Sequence, residues 1–362
     1  MSDTFSADYL SARARFREAA ESRGAQLEAL PIDQVGPSGE ALTIDVAILG
    51  STTPRRAVVI SSGVHGVEGY FGSAVQVDLL ERSLLSYTAP DDCALVFLHA
   101  VNPYGFAWSR RFNEKNADLN RSFLAPGEAY SGSPDGYDAL SDLINPQHPP
   151  TVIDRLIFFP KALFHIIKHG MPAMKQAVAS GQYDHPKGLF FGGSEPTRTQ
   201  ELLDEHLPRW VGGCERVIHI DFHTGLGASA TYKMFVDHNP GDPGDVELKR
   251  IFGAGVVEPW NAGGTAYAIR GGLGTWCKTR LPNVNYDVLA AEFGTYPALK
   301  VLAALRQENQ AHHWGDAHDP TTASAKSRLR EVFAPTSQSW RDAVVARGTE
   351  IVHTAMDSTF DV

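Results

Sequence analysis

Cysteine is scarce and scattered: Cys93, Cys214 and Cys277 lie far apart in a chain of 362 residues. An odd, sparse set excludes both a disulfide framework and a CxxC metal pattern, so the three are expected to pack as small apolar side chains. Long hydrophobic runs are also missing. No stretch approaches the roughly 20 apolar residues of a membrane span, and the N-terminus, MSDTFSADYLSARARFREAAES, has mixed charge and no apolar signal core. A cytoplasmic protein with no membrane partner is the expectation. There is no Lys/Arg-rich run, and the formal net charge is −10. No basic face for nucleic acid is expected, which leaves a small molecule or peptide as the partner, with a homo-oligomer possible. GxSxG, GxGxxG and Walker-type loops are absent, which disfavours serine hydrolase and nucleotide-dependent chemistry.

Apolar material is ample. With 43% hydrophobic and 20% charged residues, the chain can bury a sizeable core. Residues 6–23 read as an amphipathic helix with Tyr9, Ala12, Phe16, Ala19 and Ala20 on one side. LEALPI and ALTIDVAILG read as strands around the turn Gly36-Pro37-Ser38-Gly39. Residues 57–63 and 94–103 are continuous apolar runs of the kind found in covered parallel sheets. Further strands are expected at 216–227, 231–236 and 286–295, with helices at 297–312 and 338–356. The polar stretch GFAWSRRFNEKNADLNRSF has no clear period and reads as a loop. Residues 135–210 are helical in pattern, broken at 181–196. Alternating strands and helices make a layered α/β domain, and no repeat or linker demands a second one.

In open α/β sheets, chemistry gathers outside the carboxyl ends of the strands. Three strand ends carry ligand-type residues. In Ser61-Ser62-Gly63-Val64-His65-Gly66-Val67-Glu68-Gly69, His65 and Glu68 stand three apart in a tight turn and can converge on one ion. In His219-Ile220-Asp221-Phe222-His223-Thr224-Gly225, alternation puts both histidines on one face. His223 sits at the strand end; His219 lies roughly 13 Å deeper by strand rise, so it is read as a core residue. Asp221 can orient an imidazole, or serve structure alone. In Ala290-Ala291-Glu292-Phe293-Gly294-Thr295, a lone Glu292 ends an apolar strand, where a carboxylate is costly unless it is solvated, paired with a neighbouring Arg or has work to do. Three protein ligands plus an open position make a catalytic zinc arrangement, and Glu292 is placed to take a proton from the bound water. Arg110, Arg111, Asn120 and Arg121 in the polar stretch are candidates to steady developing negative charge. The lack of HExxH excludes only the thermolysin-like route to zinc.

HGVEG, NPYG, DLNR, DFHTG and EFGT occur in an order that resembles the zinc carboxypeptidases and their deacylase relatives. The longer phrases SSGVHGVEGYFGSAVQ, NPYGFAWSRRFNEKNADLNRSF, GQYDHPKGLFFGG and HIDFHTGLG resemble, over roughly residues 10–312, the bacterial M14-like zinc peptidases of the DUF2817 family. That resemblance implies a single α/β/α domain around a mixed, mainly parallel sheet of about eight strands, with a helical and loop insertion at about 125–212. It implies Zn²⁺ held by His65, Glu68 and His223, with Glu292 as the catalytic glutamate. Asn120 and Arg121 would bind a substrate carboxylate, and Arg111 or its neighbour Arg110 the oxyanion. Tyr267 is the nearest counterpart of a mobile tyrosine. The activity implied is hydrolysis of a peptide or N-acyl amino acid, with an aspartoacylase- or desuccinylase-like deacylase as the alternative and a non-catalytic binding protein as a third reading. Phe190 and Phe191 either line a pocket or pack as core, and Arg270 is a further candidate for anion binding.

Overall fold

In the computed structural model, which describes residues 4–260 and 269–360, the chain opens with helix α1 (Tyr9–Ser22). Asp8 starts it by accepting the Ser11 N–H at 2.8 Å, a side chain satisfying a backbone donor that the first turn leaves unpaired. The five residues expected on its apolar side are the five that are buried. β1 (Gln26–Val35) and β2 (Ala41–Gly50) follow as an antiparallel pair around the expected turn. β3 (Arg56–Ser62) and β4 (Cys93–His99) are apolar and almost wholly buried, as continuous hydrophobic runs require. β5 (Arg216–Thr224), β6 (Tyr232–Val236), β7 (Val257–Pro259) and β8 (Asn285–Phe293) complete the sheet.

The strand order is β1-β2-β4-β3-β5-β8-β6-β7. Its centre is parallel, through β4–β3–β5–β8. The sheet is thus mixed, eight-stranded and parallel where it matters for the site. The chain leaves β3 for β4 on one side and returns as β5 on the other, so a crevice opens where the strand order reverses.

The helices after α1 are α2 (Gly69–Asp78), the short α3 (Pro103–Ala107) and α4 (Leu119–Ser122), α5 (Tyr137–Ile144), α6 (Val152–His169), α7 (Met171–Ala179) and α8 (Arg198–Val211). Then come α9 (Pro243–Phe252), α10 (Leu273–Arg280), α11 (Ala298–Trp314), α12 (Pro320–Phe333) and α13 (Gln338–Phe360). Strand alternation divides the core in two. Val58, Ile60, Leu95, Phe97 and Phe222 meet α2, α9 and α13 on one face. Val59, Val96, Val217 and Val288 meet α8, α10 and α11 on the other. Helices therefore cover both faces. Cys93, Cys214 and Cys277 are free and buried, as expected.

The polar stretch expected as a loop carries α3 and α4, because Asn102 and Asp118 cap them by accepting the Gly105 and Asn120 N–H groups. α6 stands apart: Ile153, Leu156, Leu163 and Ile167 are each more than half exposed. Among the described residues, no helix is long and apolar enough to cross a membrane.

Candidate metal centre

The site is built on the ends of β3, β5 and β8. Beyond β3 the chain makes a 3-10 turn at Gly66–Glu68, held by N–H donation from Gly66 to the Arg111 carbonyl at 3.1 Å and from Val67 to the Arg110 carbonyl at 2.8 Å. A Cβ on Gly66 would lie 2.1 Å from the carbonyl carbon of Gly105, so this close approach requires glycine. The turn brings His65 and Glu68 together, and His223 arrives from the end of β5.

One donor atom from each of His65, Glu68 and His223 lies within 4.8 Å of the others, and all three residues are buried. The two Nδ1 atoms are 3.3 Å apart. Glu68 Oε1 is 2.9 Å from His65 Nδ1, and Glu68 Oε2 is 3.1 Å from His223 Nδ1. The Thr224 N–H also donates to Glu68 Oε2 at 3.1 Å. Burial works against a charge on Glu68, but the adjoining His65 and His223 hold its carboxyl far below the ordinary range. Two imidazole nitrogens and a carboxylate converging from different elements form a donor set suited to zinc or a similar ion.

Asp221 holds His223 in place: His223 Nε2 donates to Asp221 Oδ2 at 2.6 Å, which turns Nδ1 toward the centre. Ser61 donates to the other Asp221 oxygen at 2.6 Å. His219 stays in the core, between Ser61 Oγ at 2.7 Å and the Tyr286 hydroxyl at 3.0 Å, and burial pushes its pKa down to about 4. Asp118, which no sequence argument singled out, reaches both sides of the centre. Its Oδ1 lies 3.1 Å from His65 Nε2, and its Oδ2 accepts from Arg111 Nε at 2.9 Å. The signal was present in DLNR, two residues before Asn120.

Arg111 and Arg110 point to different places. Arg111 Nη1 donates to Glu68 Oε1 at 3.1 Å, and its Nη2 lies 2.7 Å from His65 Nε2. Arg110 instead donates from Nε to Glu308 Oε1 at 2.9 Å and from Nη2 to Asn116 and Asn309. Arg110 thus packs against Glu308 and Asn309 of α11, whereas Arg111 faces His65 and Glu68.

Glu292 lies beside His223, in register across β5–β8, and accepts the Leu226 N–H at 2.9 Å. Enclosure at the cleft floor, together with the charge of Glu68, pushes its carboxyl up to about 8. Asn120 and Arg121 line the same cleft. Asn120 Oδ1 accepts from the Leu273 N–H at 3.0 Å, and Arg121 donates to the carbonyls of Asn120 and Ala179 at 2.6–2.9 Å. Phe190 forms part of the wall, whereas Phe191 is buried core. Arg270 donates to the backbone carbonyls of Ala129 and Ser131, away from the centre. Tyr267 lies outside the described residues.

The fold aligns over 93% of the chain with 76% of carboxypeptidase A from Helicoverpa armigera, at a TM-score of 0.50 and 12% identity. Bovine thrombin-activatable fibrinolysis inhibitor, solved with tick carboxypeptidase inhibitor, aligns over 95% of this chain and 98% of its own, at a TM-score of 0.48 and 12% identity. An aspartoacylase family protein from Mesorhizobium loti aligns over 82% of this chain and 68% of its own, at 0.38 and 15% identity. At such identities the likeness is one of fold. No curated protein sequence matches the chain. The match to "Protein of unknown function (DUF2817)" covers residues 5–347, nearly the whole sequence, and the chain belongs to that family.

Proposed function

We propose that the protein is a zinc-dependent amide hydrolase of the carboxypeptidase kind, acting on a peptide or N-acyl amino acid that bears a free carboxylate. The observation that carries this reading is the convergence of His65, Glu68 and His223 with Glu292 in register beside His223. Zinc, when bound, supplies a water of lowered pKa and polarises the scissile carbonyl. Glu292 takes the proton from the attacking water and delivers it to the leaving nitrogen. Arg111, oriented by Asp118, faces the oxygen on which charge develops. Asn120 and Arg121 bind the substrate carboxylate at the cleft wall.

In this reading the chain is one hydrolase domain, and the insertion at about 125–212 supplies α7 and Phe190 to the cleft. Removal of an acyl group from an amino acid would use the same groups. The test is metal analysis of the purified protein joined to a screen of short peptides and N-acyl amino acids, with and without chelator. Stoichiometric zinc, and hydrolysis that a chelator abolishes and zinc restores, are expected. Absence of bound metal, or activity indifferent to chelation, would refute the scheme; bound zinc without hydrolysis of any amide would favour a binding protein.

A further inference from the structure

The cleft beside the metal centre encloses about 1030 Å³, counting space open to solvent. Its polar lining includes His65, Arg111, Asn120, Arg121, His223 and Glu292. Most of the remaining lining is apolar: Met174 and Val178 from α7, Leu302 and Leu305 from α11, with Phe190 and Phe333. Beyond Arg111 and Arg121, the described lining contains one further cation, the half-buried Lys175.

Phe190 has a backbone φ of 56°, a left-handed conformation that a bulky residue adopts only when its surroundings impose it. Here they do. The Gln182 N–H donates to the Phe190 carbonyl at 3.0 Å, and the Asp118 N–H donates to the Phe191 carbonyl at 2.7 Å. The ring is thereby held against the cleft with its face 5.3 Å from the Arg111 guanidinium carbon. Asp118 thus ties this aromatic wall to the same group that orients Arg111.

We propose that the amide substrate carries, besides its free carboxylate, a large apolar group that lies between α7 and α11 against Phe190. The inference rests on the hydrolase reading above and narrows it. An acidic acyl or amino-acid side chain would bring a second carboxylate to a wall of Met, Val, Leu and Phe, where Lys175 is the one further cation to meet it and most of its lost hydration is not replaced. An alkyl or aryl group gains from the same wall, roughly threefold in affinity per buried methylene.

The test uses the full-length, zinc-loaded protein and four amides. Octanoyl-glycine carries its apolar group on the acyl side and acetyl-phenylalanine on the amine side; acetyl-aspartate and succinyl-glutamate are the acidic comparators. One of the apolar pair is expected to exceed both acidic substrates at least tenfold in kcat/KM, and the better of the two identifies the side. Equal or higher kcat/KM for an acidic substrate overturns the proposal while leaving the hydrolase reading intact. Leu302→Glu should shrink the apolar preference, and the milder Leu302→Ala should do so in part. Calorimetric binding of octanoate, 3-phenylpropionate and succinate gives a readout independent of turnover. Tighter binding of the apolar carboxylates supports the pocket even if no amide is cleaved, in which case the hydrolase reading is what fails. Equal or tighter binding of succinate overturns the pocket.

Discussion

His223 and Glu292 stand side by side across the parallel pair β5–β8, in direct register and on the same face of the sheet. A ligand-type imidazole and a carboxylate are thus set at a fixed main-chain spacing by the backbone hydrogen bonds of the β5–β8 pair. Glu292→Gln should keep bound zinc at wild-type stoichiometry and lower kcat between about a hundredfold and ten-thousandfold. Metal content by mass spectrometry, measured beside turnover, separates loss of the base from loss of the metal.

Asp221 accepts from His223 Nε2 at 2.6 Å and so fixes which nitrogen faces the centre. Asp221→Asn should weaken zinc affinity by about 10- to 100-fold, read by competition with a chelating dye. Unchanged affinity would leave Asp221 with a purely structural role.

Metal binding should release protons. Without metal, enclosure and the charge of Glu68 hold Glu292 protonated up to about pH 8. Burial opposes a charge on His223, but Asp221 and Glu68 hold its pKa well above the ordinary value. A bound cation favours the deprotonated form of both, so zinc uptake at pH 7 should release about one to two protons. Calorimetry in buffers of different ionisation enthalpy measures the number, and Glu292→Gln should reduce it.

His99 and His219 predict the acid limit of stability. Burial pushes both down to about 4 from the ordinary 6.5. As pH falls from about 6.5 toward 4, the unfolded chain takes up protons that the folded chain refuses, so stability is full above this window and lost within it. Each histidine can account for on the order of 3 kcal/mol. Urea midpoints of the wild type between pH 7 and 4.5 should fall more steeply than those of His99→Leu.

Arg110 and Glu308 form a buried pair at 2.9 Å, with Lys326 as a second cation on the same carboxylate. Burial opposes the charge on Glu308, but the two cations hold its pKa at about 2. Arg110→Met should cost about 3 kcal/mol by urea unfolding, while zinc affinity and turnover per folded molecule stay near wild type. A loss of zinc affinity instead would place Arg110 in the centre after all.

The order of β1 to β6 and β8 was legible because apolar strands, turns and capping residues are local signals. The short β7, and the helices at 243–252, 273–280 and 320–333, were not singled out; the first two helices are only 10 and 8 residues long, too short for a period to stand out. His65, Glu68, His223 and Glu292 were legible because ligand-type residues at strand ends are unusual and strand geometry fixes which of two histidines emerges. Arg110 could not be separated from Arg111, since its partner Glu308 lies 198 residues away. Asp118 and the left-handed Phe190 were hidden for the same reason: their roles are made by contacts across the chain, not by neighbours in it.

The close contact of Gly66 with Gly105 has a mechanical consequence. Gly66 follows His65 in the 3-10 turn, and Gly105 stands in α3 ahead of Arg111; the two segments are separated in the chain by α2 and β4. With no side chain at the crossing, the two backbones pack directly against each other. The main-chain positions from which His65 and Arg111 reach the centre are then set by a direct backbone contact, which a single added methyl group at Gly66 would force apart.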